Sequence, residues 1–148
     1  MAAGTSRFLI FRSELFLHRQ EDDQIGRWFV GADCGGWLYA RLLPLPNIAR
    51  DVDPLMEDWG WYAGVRVIDS GTRVSIMIYA WDYFDHCWLI GLNAKRRLIR
   101  RQSDATLRGA LNCVATGIDQ IIAADYRFES FGWRDENPFD TGVTDPRK

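Results

Sequence analysis

Histidine and cysteine, the side chains that most often hold metals or act as nucleophiles, are scarce in this 148-residue chain: two of one and three of the other. Cys34, Cys87 and Cys113 are odd in number and far apart, and they form neither a zinc spacing nor a disulfide framework. They are read as buried free thiols. Long apolar runs are also missing. None approaches the ~20 residues of a spanning helix, and Phe8 to Phe11 is cut short by Arg12 and Glu14 before it reaches the length of a signal-peptide core. A cytoplasmic protein with no membrane partner is the expectation. Charge of one sign is lacking too. A net charge of -2 gives no general drive towards nucleic acid or an anionic membrane. There is no Gly-rich phosphate loop, no Gly-x-Ser-x-Gly and no His-Glu-x-x-His. No repeat or linker divides the chain, so residues 1–148 are expected to form a single domain. Its ordered core should cover about 7–133, followed by a loose polar tail. An enzyme is not expected, nor a cofactor or a metal.

What the chain does have is aromatics, 14% of residues with seven tryptophans. Trp and Tyr serve both cores and interfaces. They cluster most densely around one glycine, in Met56-Glu57-Asp58-Trp59-Gly60-Trp61-Tyr62.

The elements follow from periodicity. Arg7 to Leu17 reads as a first strand, bent near Ser13, and Glu21 to Gln24 as an acidic loop. Residues 31 to 43 read as a helix. Cys34, Trp37, Leu38 and Leu42 fall at helical intervals, with Asp33 in the first turn and Pro44 and Pro46 beyond the end. Gly35 and Gly36 weaken that helix by up to ~1 kcal/mol each against alanine, unless they let it approach a sheet closely. Ile48 to Asp53 reads as a short edge strand stopped by Pro54.

Three alternating segments come next. In Gly60 to Asp69, Trp61, Ala63, Val65 and Val67 share a face. In Arg73 to Trp81, Val74, Ile76, Ile78 and Ala80 do. In Cys87 to Asn93, Trp88, Ile90 and Leu92 do. With turn residues between them, they predict an antiparallel meander. Ser103 caps a helix running to about Asp125, whose apolar stripe is Leu107, Leu111, Val114, Ile118, Ile121 and Ile122. Tyr126 to Trp133 is an aromatic stretch expected to pack back on the domain. The expected fold is α+β: an antiparallel sheet carrying two main helices on one face.

Candidate chemistry is thin. Glu57 and Asp58 are adjacent, so on a strand they diverge instead of converging as an acid–base pair. Asp82-Tyr83-Phe84-Asp85-His86-Cys87 holds several potential ligands at no recognised metal spacing and reads as a turn. The basic segment Lys95 to Arg101 could contact phosphates in a nucleic-acid-binding or regulatory adaptor, the alternative function. Its plainer reading is a solvated strand-to-helix loop, and nucleic acid is not the expected partner.

Glu57-Asp58-Trp59-Gly60-Trp61 resembles a motif of small bacterial immunity-type proteins, the neutralising partners of secreted toxins. Phe29, Val30 and Gly31, then Trp37-Leu38 and Arg41-Leu42, match the helix that precedes that motif in the family. The resemblance covers roughly Trp28 to Ile68, and Cys34-Gly35-Gly36 departs from it. It implies a stoichiometric protein–protein inhibitor with no catalytic groups. The expected contact residues are Glu57, Asp58, Asp82, Tyr83, Phe84 and Asp85. In an up-and-down meander these fall at one end of the sheet, where acids could steer a basic toxin and aromatics could anchor it.

Overall fold

A computed structural model describes residues 5–16, 31–57, 60–81, 83–95 and 102–147. The strands are β1 (Ser6–Arg12), β2 (Ile48–Glu57), β3 (Gly60–Val67), β4 (Thr72–Trp81), β5 (Cys87–Lys95) and β6 (Glu129–Arg134). They form one six-stranded sheet in the order β2-β3-β4-β5-β1-β6, with every neighbouring pair antiparallel. Helices α1 (Ala32–Leu42) and α2 (Asp104–Ala123) cover one face, and the four-residue α3 (Pro138–Thr141) follows β6. This is the α+β architecture expected from the alternation and the amphipathic stripe.

The two-residue period decides which side chains meet the helices. Trp61, Ala63, Val65 and Val67 of β3 form the main core with Val74, Ile76 and Ile78 of β4 and Trp88, Ile90 and Leu92 of β5. Leu38, Tyr39 and Leu42 of α1, and Leu107, Leu111, Val114, Ile118 and Ile122 of α2, close it from above. Ser103 caps α2, its hydroxyl accepting from the Thr106 backbone N–H at 3.1 Å.

Gly35 resolves the question raised by the two helical glycines. A Cβ built there would lie 2.2 Å from Cδ2 of Trp61, so α1 touches the sheet through that position. Gly36 points into open space and has no such role. One turn on, the Tyr39 hydroxyl faces the carbonyls of Gly64, at 2.9 Å, and Val52, at 3.2 Å. It thereby supplies a donor where β2 and β3 fall out of register.

Three expectations need correction. β2 does not stop before Pro54 but continues to Glu57, because it is the sheet's edge and carries register shifts between Arg50 and Val52 and between Val52 and Leu55. Proline is tolerated at such an edge or bulge. The first strand ends at Arg12, not Leu17, as Ser13 turns to donate its N–H to the His86 carbonyl at 2.9 Å. The stretch after Tyr126 adds a sixth strand, pairing Phe8 with Arg134 and Leu9 with Trp133.

The chain beyond Arg134, expected to be loose, is placed against the sheet's second face. Phe139 packs at a tilt against Trp81 (4.7 Å between centroids) and edge-on against Tyr79 (5.8 Å), and Arg147 lies over the Phe84 ring. Arg134 donates to the Pro146 carbonyl at 2.8 Å. Beneath them Ile10, Trp81, Cys87 and Leu89 form a second, smaller buried cluster. No helix among the described residues is long and apolar enough to cross a membrane.

Candidate functional site

Strand pairing settles where the turns lie. Glu57 pairs with Gly60, and Trp81 pairs with Cys87, while Trp61 pairs with Ile78. The β2–β3 and β4–β5 hairpins therefore turn at the same end of the sheet. The pairings of Arg12 with Cys87 and with Glu129 bring the end of β1 and the start of β6 there as well.

Of the expected contact residues, Glu57, Tyr83 and Asp85 are exposed at this end. Asp58 and Asp82 lie outside the described residues, as do Trp59, the acidic stretch from Glu21 to Gln24, and Arg96 to Arg101. Phe84 differs from expectation: it is half-buried on the second apolar cluster, beneath Arg147. Its ring belongs to the packing under the C-terminal segment and is not a free anchor.

Tyr83 is better placed for contact. It is 56% exposed, and its ring rests against buried Trp81 at 5.0 Å between centroids. A supported, exposed aromatic loses little freedom when a partner covers it.

The structure adds Leu15 and Leu55, which sequence reasoning missed, and corrects Tyr126, expected to pack back on the domain with the rest of the stretch to Trp133. Leu15, Leu55 and Tyr126 are exposed, Tyr126 almost fully at 96%. Leu55 pairs with Tyr62 near the end of β2, Leu15 follows β1, and Tyr126 sits between α2 and β6. Leu15 and Tyr126 line an open groove with Arg12, Arg127 and Glu129. With Tyr83, and with Phe139 against Trp81, five of the six exposed large hydrophobics among the described residues lie towards this end, Ile68 being the exception. No sequence signal marks Leu15 or Tyr126, since a turn residue's exposure depends on what packs over it.

Electrostatics here are of surface type. Arg127 is the main cause holding the Asp125 carboxyl down to about 2, through side-chain and backbone hydrogen bonds. Burial pushes the Cys87 thiol up to about 11. It faces the second cluster while neighbouring His86 occupies the turn with a left-handed φ of 56°. A thiolate nucleophile is disfavoured in that setting. Among the described residues, no group of three or more His, Cys, Asp or Glu side chains is placed to hold a metal ion.

A second polar arrangement lies on the open part of the second sheet face. Lys95 Nζ donates to the Tyr62 hydroxyl at 3.0 Å, and that hydroxyl shares a hydrogen bond with Ser75 at 3.1 Å. Burial pushes the Tyr62 phenol up, but the hydrogen bonds from Lys95 and Ser75 and the Lys95 charge outweigh it, leaving it below its ordinary value. Arg73 makes a two-pronged bond to Asp51, at 2.9 and 3.1 Å.

Comparison with protein-family models, with curated proteins and with solved structures finds no match.

Proposed function

We infer that this protein is a non-catalytic binding partner of another protein, an immunity-type inhibitor that neutralises a bacterial toxin in the cytoplasm by direct contact. The observation that carries this reading is the end of the sheet where two hairpins turn together. Exposed Tyr83, Leu15 and Tyr126 lie along that end with exposed Glu57 and Asp85, and exposed Leu55 stands two residues in from Glu57. Apolar side chains that remain in water at one end, flanked by charge, are the composition of an interaction surface. The acids would speed encounter with a basic surface and set its orientation, and the aromatics would supply contact energy. The similarity of Glu57-Asp58-Trp59-Gly60-Trp61 to immunity-type proteins supports the choice of partner.

The test is calorimetric titration with the toxin-like product of the neighbouring gene, inactivated for expression. A one-to-one complex is expected. Tyr83→Ala and the pair Glu57→Lys/Asp85→Lys should each weaken it by at least about 1.4 kcal/mol, which is tenfold. Unchanged affinity in both variants rejects this end as the contact. Absence of any complex with the neighbouring product rejects the immunity reading.

A further inference from the structure

The second face of the sheet carries three parallel cross-strand rows, the third of which begins beside Leu55 of the hairpin-end surface, the partner of Tyr62. The first is cationic: Arg66 pairs with Arg73, and Arg73 with Lys95, across β3, β4 and β5. All three are exposed. The second row is small and polar. Gly64 pairs with Ser75, Ser75 with Asn93, and Asn93 with Ser6. The third holds Tyr62, Met77, Gly91 and Phe8. Tyr62, Met77 and Phe8 are each half-buried. Rows two residues apart on a strand are separated by about 7 Å, so the three span about 14 Å along the sheet. The C-terminal segment covers the next row, which contains Tyr79, and reaches the far end of the third, where Phe8 pairs with Arg134 and Arg134 donates to the Pro146 carbonyl.

Like charges directly opposite one another on a sheet destabilise it, and this row places three side by side. Asp51, carried over by the irregularity in β2, offsets one of them through its two bonds to Arg73. Lys95 is occupied only by the neutral Tyr62 hydroxyl, and Arg66 has no ion-pair partner among the described residues. Asp69, in the turn after β3, is the nearest other carboxylate along the chain and makes no ion pair there among the described residues. Among the described residues, Arg66 and Lys95 thus have no ion-pair partner of their own, although the Asp51 carboxylate also lies beside Gly64 between the rows. In the next rows, the Asn93 amide group keeps its donors after its oxygen accepts from Ser6 at 3.0 Å. The absence of a side chain at Gly91 lets Met77 and Phe8 close over it as one apolar strip.

We propose that this face binds a single-stranded nucleic acid segment, RNA in the first instance. Arg66 and Lys95 would take the phosphates, and Tyr62, Met77 and Phe8 would take the bases. The argument is charge and shape together. A cationic row beside an aromatic and apolar row, on one face of the sheet, matches a chain with phosphates along one side and π-faces along the other. A duplex hides its bases and offers nothing to the third row. An acidic protein segment would use the first row alone.

Fluorescence anisotropy with a labelled single-stranded RNA of about 12 nucleotides tests this. The full chain is titrated between about 50 and 200 mM salt. Arg66→Gln/Lys95→Gln should weaken binding at least about tenfold and flatten the slope of log K against log salt by about 1.4, two phosphate contacts at about 0.7 each. Tyr62→Leu should weaken binding at least about fivefold with the slope kept, as loss of one stacked base requires. These residues lie on the surface or in its outer layer, and circular dichroism melts check that each variant folds. The proposal is overturned if the wild type does not bind at about 50 mM salt, or if both variants bind as the wild type does. A duplex of the same sequence binding as tightly also overturns it. So does self-association that the double variant abolishes without RNA binding, since that would assign the row to carboxylates of a second copy. Glu57→Lys/Asp85→Lys should leave RNA binding within about twofold, so this result and that for the hairpin end are independent.

Discussion

Replacing Gly35 by alanine sets two well-measured effects against each other. In a helix interior, alanine is better than glycine by about 0.8–1.0 kcal/mol. The new Cβ, however, would sit 2.2, 2.3 and 2.5 Å from the Cδ2, Cε2 and Cγ atoms of Trp61. Carbon atoms rest at about 3.5 Å or more, so the shortfall is roughly 1.3 Å. The obstructing atoms belong to the rigid ring of a side chain only 3% exposed. Tyr39 holds that ring from its edge at 5.9 Å between centroids. Neither ring nor helix can withdraw without disturbing other packed groups, and overpacking of this kind costs about 1–3 kcal/mol or more. Set against the helix gain, this leaves an expected net loss of up to about 2 kcal/mol, with larger values if α1 lifts as a unit.

Gly36→Ala is the internal control. It has the same helix gain and nothing within 4 Å of the new methyl. It should stabilise the protein by up to about 1 kcal/mol. Urea titrations of both variants, read by midpoint at constant slope, measure the difference. A third arm isolates the cause: in a Trp61→Leu background, most of the Gly35→Ala loss should disappear, because the two positions are in contact. If Gly35→Ala matches Gly36→Ala, or if its cost survives the loss of the indole, close approach of α1 to the sheet is not why glycine stands there.

Ile118→Ala, at a fully buried position on α2, should lose about 2–5 kcal/mol in the same titration. The Asp125 carboxyl should titrate near 2 by NMR, and Arg127→Ala should return it towards the ordinary value of about 3.9. Because this group is depressed in the folded state, whatever stability it adds is complete above the unfolded value and is lost as pH falls through about 2. Native thiol titration should modify half-exposed Cys113 first, leaving buried Cys34 and Cys87 for denaturant; early modification of Cys87 would contradict a thiol pushed up to about 11.

The meander and α2 were legible because their periods are uninterrupted. Residues 61 to 92 alternate strictly wherever they touch α1 or α2, and Leu107 to Ile122 keep one stripe over about four turns. β6 was not legible. Its alternation is interrupted by Gly132, which has a left-handed φ of 85°, and its register against β1 shifts between Leu9 and Phe11. The continuation of β2 was hidden for a related reason. The edge position could be read from the sequence, but not the register shifts on either side of Val52 that carry the strand through Pro54 to Glu57. At the hairpin end, the acids could be placed from meander logic alone. Phe84 could not, because what covers it is Arg147, 63 positions away by subtraction of their numbers.

Charge shows most clearly what a sequence count conceals. A net charge of -2 argues against a charged partner of either sign. That inference assumes the charges are mixed, and pairing decides whether they are. Antiparallel order sends Glu57 and Asp85 to one end of the sheet. It sends Arg66, Arg73 and Lys95 to the other, in one row. Shifting β4 by a single residue would turn Arg73 onto the helix face and break the row. Register is fixed here by the buried set Val74, Ile76 and Ile78, so the apolar core determines the surface electrostatics of the opposite face. On the two proposals the ends take partners of opposite charge, and raising the salt concentration should then weaken both associations. An interaction at either end that is indifferent to salt would have to rest on the apolar side chains alone, on Leu55 and Tyr83 at the hairpins or on Tyr62 and Met77 across the open face.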